Sequence, residues 1–333
     1  MTEFLSQLLK LVSGKEVAIV CHWDADGITS GALIYHLIKD HCRITHKKSK
    51  GDLFQVLPED IKGNYDFVFC VDIHPSPKLD PKKVIYIDHH PIENKNFAFA
   101  LHNDKLKSCS LLIWKELIPE TSNPYFIFLT LVGYFGDGGA KEHIPSKLRI
   151  KADELIPMLM KEKPSIFNGD SYLEIEKYVS LLNAGKRYNW SGDVPLQLLT
   201  EITTAEEFTE FQHPLAYELN SYKKELRGLY SMAVDFKELK HIKYSIIDVD
   251  KNIQGVLCAR HMDDKPILVM NKRNEFFIGS MRAPNDVFFD VGSFLSSFNE
   301  KIDSFVGGGH RSAAGFTLHE EDLDKFLEML HKF

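Results

Sequence analysis

Apolar positions Phe4, Leu5, Leu8, Leu9 and Val12 recur at helical spacing and stop at Gly14, which predicts a short opening helix. VAIVC (17–21) is then a compact β-branched run that ends in a polar cluster from His22 to Gly27. ITSGALIYHLIKD (28–40) returns to helical spacing, so the order is strand, polar loop, helix. The grammar repeats at FVFCVDI (67–73), whose unbroken apolar character suits a parallel strand buried on both faces, and at VIYID (84–88). Residues 109–118 and 125–135 predict two apolar helices, the second broken by the glycines around Asp137. From 146 to 232 the pattern is mostly helical, with charged stretches KEKPSIFNGD and NSYKKELRGLY. Beyond 233 the short β-like segments YSIIDV, GVLCA, PILVMN and EFFIGSMRA precede an amphipathic helix near 290–299, a glycine run and a C-terminal helix. The fold class that follows is α/β. A parallel-sheet domain spans 1–165, a helical connector 166–234, and a smaller mixed-sheet α/β domain 235–333.

Composition narrows the classes. With 333 residues, 44% hydrophobic content and a formal net charge of −7, the chain reads as globular, which excludes disorder, collagen and coiled coil. Its five cysteines form no Cys-x-x-Cys pair and read as reduced core residues of a cytoplasmic protein. No stretch reaches the length of a membrane span, and the N-terminus lacks the pattern of a signal peptide. The acidic balance argues against binding nucleic acid through bulk charge. It leaves room for a local basic groove from Lys47, Lys48 and Lys50, from Lys82 and Lys83, or from Lys223, Lys224 and Arg227, although each cluster alone reads first as solvated surface.

The chemistry concentrates at strand ends. HWDADG sets His22, Asp24 and Asp26 at alternating positions past the first strand, where an extended chain would point all three the same way. Asp72 follows the second strand, Asp88-His89-His90 ends the third, and Asp137 lies between glycines in YFGDGG. Ligands of open parallel sheets sit outside the carboxyl ends of the strands, so these groups should converge on one crevice. Gathered carboxylates repel one another unless divalent cations neutralise them, and a mixed carboxylate and imidazole set suits Mn²⁺ first, with Mg²⁺ or Zn²⁺ as alternatives. Singly, such an Asp is as often a helix cap and such a His a core residue. The ordered set is much harder to obtain by accident.

In their order and spacing HWDADGITSG, VDIHP, IDHHP and GDGG resemble the four motifs of the DHH phosphoesterase superfamily. That superfamily includes RecJ nucleases, nano-RNases, phosphoadenosine phosphatases and family II pyrophosphatases. GGGHRSAAGF (307–316) is similar to the signature of the DHH-associated domain of the nuclease branch, and the Asp-x-Asp-Gly-Ile-Thr-Ser form looks most like archaeal RecJ-like proteins. The resemblance implies a RecJ-like exonuclease that hydrolyses single-stranded DNA or RNA by two-metal activation of water, in DNA repair. It implies two divalent cations, Mn²⁺ or Mg²⁺, and a helicase or replication protein as partner, with no membrane association. Asp24 would ligate one metal and Asp26 the other, with Asp72 bridging both. His89 and Asp137 would complete the ligand set of the second metal, His90 would touch the scissile phosphate, and Asp88 would orient the histidines. His22 is a further ligand candidate, although pyrophosphatases and nano-RNases carry the motif's histidine at the position of Val20.

In the second domain Gly307, Gly308 and Gly309 would form a backbone nest for phosphate, with His310 and Arg311 as side-chain donors. Ser280 and Arg282 in GSMRAP resemble the family's Ser-x-Arg contact to substrate phosphate. Trp23, Tyr188 and Trp190 read as core rather than base-stacking residues, and KKELR (223–227) as a better candidate for backbone contacts. The rivals are a nano-RNase or phosphoadenosine phosphatase acting on short oligonucleotides, and a non-catalytic binding subunit of a replication or repair complex.

Overall fold

A computed structural model describes residues 2–51, 55–92, 96–164, 171–284 and 286–332, so part of KEKPSIFNGD (165–170) lies outside the described residues. The chain forms two units, one from 2–51, 55–186 and 191–223, the other from 187–190 and 224–332.

The first unit is built on five parallel strands: β1 Glu16–His22, β2 Arg43–Lys50, β3 Phe67–Val71, β4 Val84–Asp88 and β5 Phe99–His102, in the order β2-β1-β3-β4-β5. Alternation divides their side chains between two cores. Val17, Ile19 and Cys21, with Phe69, Val71, Ile85 and Ile87, pack under the helices. Ala18, Val20, Val68, Cys70, Val84 and Tyr86 face the other way and are closed over by Val56, Ile61, Ile73 and Leu79. The helices are α1 Glu3–Val12, α2 Ala25–Ile38, α3 Cys109–Leu117, α4 Pro124–Gly136, α5 Ser146–Leu155, α6 Lys177–Asn189, α7 Asp193–Glu201, α8 Ala205–Thr209 and α9 Pro214–Leu229. Tyr178, Leu182, Leu199, Phe208 and Leu219 of α6 to α9 join the same core as Ile19, so most of the helical middle belongs to this unit.

The second unit has β6 Lys237–Glu238, β7 Lys243–Ile247, β8 Ile267–Arg273, β9 Phe276–Arg282, β10 Val306–His310 and β11 Ala313–His319, in the order β6-β7-β8-β9-β11-β10. β7 and β8 run parallel and the other neighbours antiparallel. The parallel pair requires a crossover, which α10 Gln254–His261 supplies. Phe298, Phe305, Phe316 and Phe326 fill the core beneath α11 Val291–Ser296 and α12 Leu323–His331.

Three local expectations are corrected. GVLCA is not a strand but the body of α10, because Ile253 and Leu257 bury one face at helical spacing; a run this short carries no period that separates the two states. The glycines 307–309 are extended rather than folded into a turn. They belong to strand β10, where the Gly307 amide donates to Asn299 Oδ1 at 2.9 Å, and a Cβ on Gly307 would meet Phe305 and Phe316 at 2.6 and 2.7 Å. The helix expected near 290–299 is shorter, Val291–Ser296. Strand β2 is hidden in the sequence by its polar residues RITHKKSK, which an edge strand tolerates.

Candidate functional site

In this sheet the strand order reverses direction between β1 and β3, and open α/β sheets bind ligands at that switch point. The local folding there corrects the simple alternation argument for HWDADG. β1 ends at His22, Asp24 caps α2 by accepting from Gly27 N at 3.1 Å, and Asp26 lies in the first helical turn. A strand-to-helix turn, rather than an extended run, therefore aims these carboxylates. Gly27 is required by this close approach, since a Cβ there would lie 2.4 Å from the His22 carbonyl oxygen. Asp72 leaves β3 with φ +58, a left-handed conformation that Asp tolerates better than most residues, and its amide donates to Ile87 O at 2.9 Å.

Asp72 lies at the centre. His22 Nδ1 is 2.9 Å from Asp24 Oδ2 and 3.8 Å from Asp72 Oδ2. On its other side His89 Nε2 lies 3.4 Å from Asp72 Oδ1, 3.6 Å from Asp137 Oδ2 and 3.9 Å from Asp26 Oδ2. Among the described residues, potential ligand atoms fall into two groups, His22, Asp24 and Asp72 in one, Asp72, Asp88, His89 and His90 in the other, and Asp72 belongs to both. Among the described residues its buried Oδ1 has no hydrogen-bond partner. A buried carboxylate oxygen with no donor is costly, and a divalent cation is what this donor set would satisfy it with.

Electrostatics point the same way. Burial, followed by the charge of Asp26, pushes Asp72 well above the ordinary carboxylate range, and the same two causes raise Asp137 to about 7. Burial also raises Asp26, although its carboxylate accepts from the α3 amides of Cys109 at 2.7 Å and Ser110 at 3.0 Å. Asp24 is different: burial pushes it up, but His22 and Lys186 outweigh that and hold it below the usual range.

Asp88 is wholly buried and faces away from this competition. Its Oδ1 accepts from His90 N at 2.9 Å and from His90 Nδ1 at 2.8 Å, while Oδ2 accepts from Tyr86 Oη at 2.9 Å. Burial opposes ionisation of Asp88, but the His90 hydrogen bonds and charge bring it down to about 2. Burial likewise lowers His90, and Asp88 overcomes it to raise the imidazole to about 9. Because the Tyr86 hydroxyl commits its proton to Asp88, His74 Nδ1 donates to Tyr86 Oη at 3.1 Å. Tyr86 lies outside the four motifs, and His74 lies inside one of them, VDIHP, with no role assigned to it there. A signal exists for the first, since residues two apart in a strand share a face, which sets Tyr86 beside Asp88.

In the second unit Ser280 and Arg282 meet the first turn of α10, where a Cβ on Gly255 would lie 3.2 Å from Ser280 Oγ and 3.5 Å from Arg282 Nη2. Among the described residues no side chain caps that helix, so its N-terminal amides add to the positive potential. Burial pulls the Arg282 guanidinium down and Arg187 adds to the effect; its Nη1 donates to the carbonyls of Met281 and Ala314, at 2.9 and 3.4 Å. Arg187 and Gly255 are further residues the motifs do not mark. His310 and Arg311 are exposed at the end of β10.

Several of the remaining candidates make contacts within the protein. Trp23 and Trp190 are buried, and Tyr188 Oη donates to Glu225 while its ring carries Lys251. Lys48 and Lys50 both pair with Asp60, at 2.8 Å, and Lys223 donates to Ser180. Among the described residues no helix is long and apolar enough to cross a membrane.

Residues 16–132 match the DHH family, N-terminal domain, and residues 244–333 match the DHHA1 domain. Among solved structures the chain is similar to RecJ in complex with Mn²⁺ from Thermus thermophilus (TM-score 0.68, 18% identity, covering 99% of this chain and 54% of that one). It is similar also to an exonuclease RecJ bound to manganese (TM-score 0.64, 19% identity, 100% and 94% covered). A third is the DHH domain of a member of the s1p family of ribosomal proteins (TM-score 0.60, 16% identity, 99% and 89% covered). At such identities the likeness is one of fold, and the chain spans about half the length of the Thermus protein. No curated protein matches the chain in sequence.

Proposed function

The chain belongs to the DHH superfamily, with a DHH domain followed by a DHHA1 domain, and on that premise we propose that it is a metal-dependent phosphodiesterase, a RecJ-like exonuclease acting on single-stranded DNA or RNA. The observation that carries the reading is Asp72, shared by two ligand groups and holding a buried oxygen with no donor.

In this reading Asp24 and His22 would hold one divalent cation and Asp26, His89 and Asp137 the other, with Asp72 shared between the two sets. Mn²⁺ is the favoured ion, because imidazole and carboxylate donors are mixed. When bound, such a pair of cations lowers the pKa of water and neutralises charge on the phosphoryl oxygens. The protein's own groups do the rest. Asp88 accepts the Nδ1 proton of His90 and stabilises the imidazolium, raising it to about 9, so that Nε2 carries a second proton to donate to phosphate charge or to the leaving oxygen. Ser280, Arg282 and the first turn of α10 hold a substrate phosphate, with His310 and Arg311 as flanking donors. A helicase or replication protein is the partner this activity would need on duplex substrates.

End-labelled DNA and RNA oligonucleotides, beside a di- to pentanucleotide panel, test the proposal in Mn²⁺ and in EDTA. A ladder growing from one end in Mn²⁺, abolished by EDTA and by Asp72→Ala, supports it. Cleavage confined to the short panel would replace it with the nano-RNase reading. Binding without cleavage under every metal would replace it with the non-catalytic subunit.

A further inference from the structure

Phe288 is 95% exposed, far more than the other large apolar side chains of the described residues, of which the next is Ile150 at 66%. It sits between β9 and α11, and the described residues around it are held by hydrogen bonds. Ala283 N donates to Ser312 O at 3.1 Å and Val291 N to Arg311 O at 2.8 Å, so both residues are tied to the turn between β10 and β11. Between them Val287 N donates to Pro284 O and Phe289 N to Val287 O, at 3.2 and 2.8 Å. Phe289 turns inward against Phe294, with ring centroids 5.2 Å apart, which leaves Phe288 to turn outward. The Arg311 guanidinium lies 5.3 Å from the Phe288 ring centroid, a cation–π distance.

The same end of the sheet carries the cations proposed above to hold a substrate phosphate. Arg282 ends β9 directly opposite Ala313 on β11, His310 ends β10, and Arg311 follows in the turn. An exposed ring braced by a guanidinium, beside donors for phosphate, has the composition of a nucleotide site: cations for the backbone and a π-face for the base. We propose that Phe288, backed by Arg311, is a stacking platform for a nucleobase of the single-stranded substrate. The inference rests on the nucleic-acid reading above and deepens it. An unspecific apolar contact with a protein would need neither a guanidinium over the ring nor phosphate donors beside it. Stacking on such a platform tolerates any base, so it contributes affinity and register rather than sequence preference.

The test compares Phe288→Ala, Phe288→Leu and Phe288→Trp with the wild type by fluorescence anisotropy. The probes are an oligothymidylate and an abasic oligonucleotide of the same length, in Ca²⁺ to slow hydrolysis. Loss of one stacked base should weaken oligothymidylate binding about tenfold in Phe288→Ala. Phe288→Leu should fall with it, Phe288→Trp should keep wild-type affinity, and the abasic strand should bind all four proteins alike. Because the side chain is exposed, all variants should melt with the wild type. Equal losses on both oligonucleotides, or wild-type affinity in Phe288→Leu, would overturn the platform and point to backbone or protein contacts. If the wild type bound neither oligonucleotide, the nucleic-acid reading itself would fall, an outcome distinct from a platform that ignores bases.

Discussion

Replacing Asp137 by Asn should make the metal-free protein more stable at neutral pH while weakening its response to metal. The native carboxyl is raised from 3.8 to about 7 by burial and by Asp26. In the unfolded chain it reverts to the lower value. Between roughly pH 4 and pH 7 the native state therefore holds a proton that the unfolded state has released, and stability falls as pH rises through that window. Above pH 7 the loss is complete, at about 4 kcal/mol from about 1.4 kcal/mol per tenfold. The side chain is 19% exposed, so solvent screening removes only part of this. For a unit of this size each kcal/mol moves the melting temperature by roughly 2–4 °C, which puts metal-free Asp137→Asn up to about 10 °C above the wild type at pH 8. The two should coincide near pH 4. Adding Mn²⁺ should raise the wild type by about 3 kcal/mol at a hundredfold excess over its dissociation constant, and the variant by much less. Denaturation midpoints measured from pH 4 to 8, in EDTA and in Mn²⁺, check all of this. Parallel pH dependences for the two proteins in EDTA would refute the reasoning, because Asp137 would then carry no buried charge penalty.

Three further outcomes follow from the same geometry. His89→Ala should lose bound metal as well as rate, whereas His90→Ala should lose rate with metal content preserved; metal analysis of both purified proteins showing equal loss would remove the distinction. Tyr86→Phe deletes the donor to Asp88 Oδ2 and should lower kcat about tenfold with KM and metal content unchanged, read by steady-state kinetics, as expected when a supporting hydrogen bond is removed from a site histidine's carboxylate. Arg282→Ala should raise KM for oligonucleotides and reduce discrimination between differently phosphorylated ends, yet leave a minimal activated phosphodiester nearly untouched; equal damage to both substrates would move Arg282 into the catalytic centre.

Much of this protein is local in origin and so is legible in order along the chain. β1, β3 and β4 can be found because strands buried on both faces must be apolar throughout. The carboxylates can be found because parallel strands all end on the same side of the sheet, which turns Asp24, Asp72 and Asp88 from separate positions into neighbours. Sequence is silent wherever a residue's state depends on what lies across from it. The polar segment 43–50 becomes strand β2 because it is an edge, with Lys48 and Lys50 neutralised by Asp60. GVLCA becomes α10 because the parallel pair β7 and β8 needs a crossover. The glycines 307–309 are extended in β10, where a Cβ at Gly307 or Gly309 would meet Phe305, Phe316 or Ala314. Only tertiary structure could show that His74 donates to Tyr86 behind Asp88, or that Asp72 Oδ1 lacks a donor among the described residues, since hydrogen-bond satisfaction is a property of the assembled site and leaves no periodic trace in the chain.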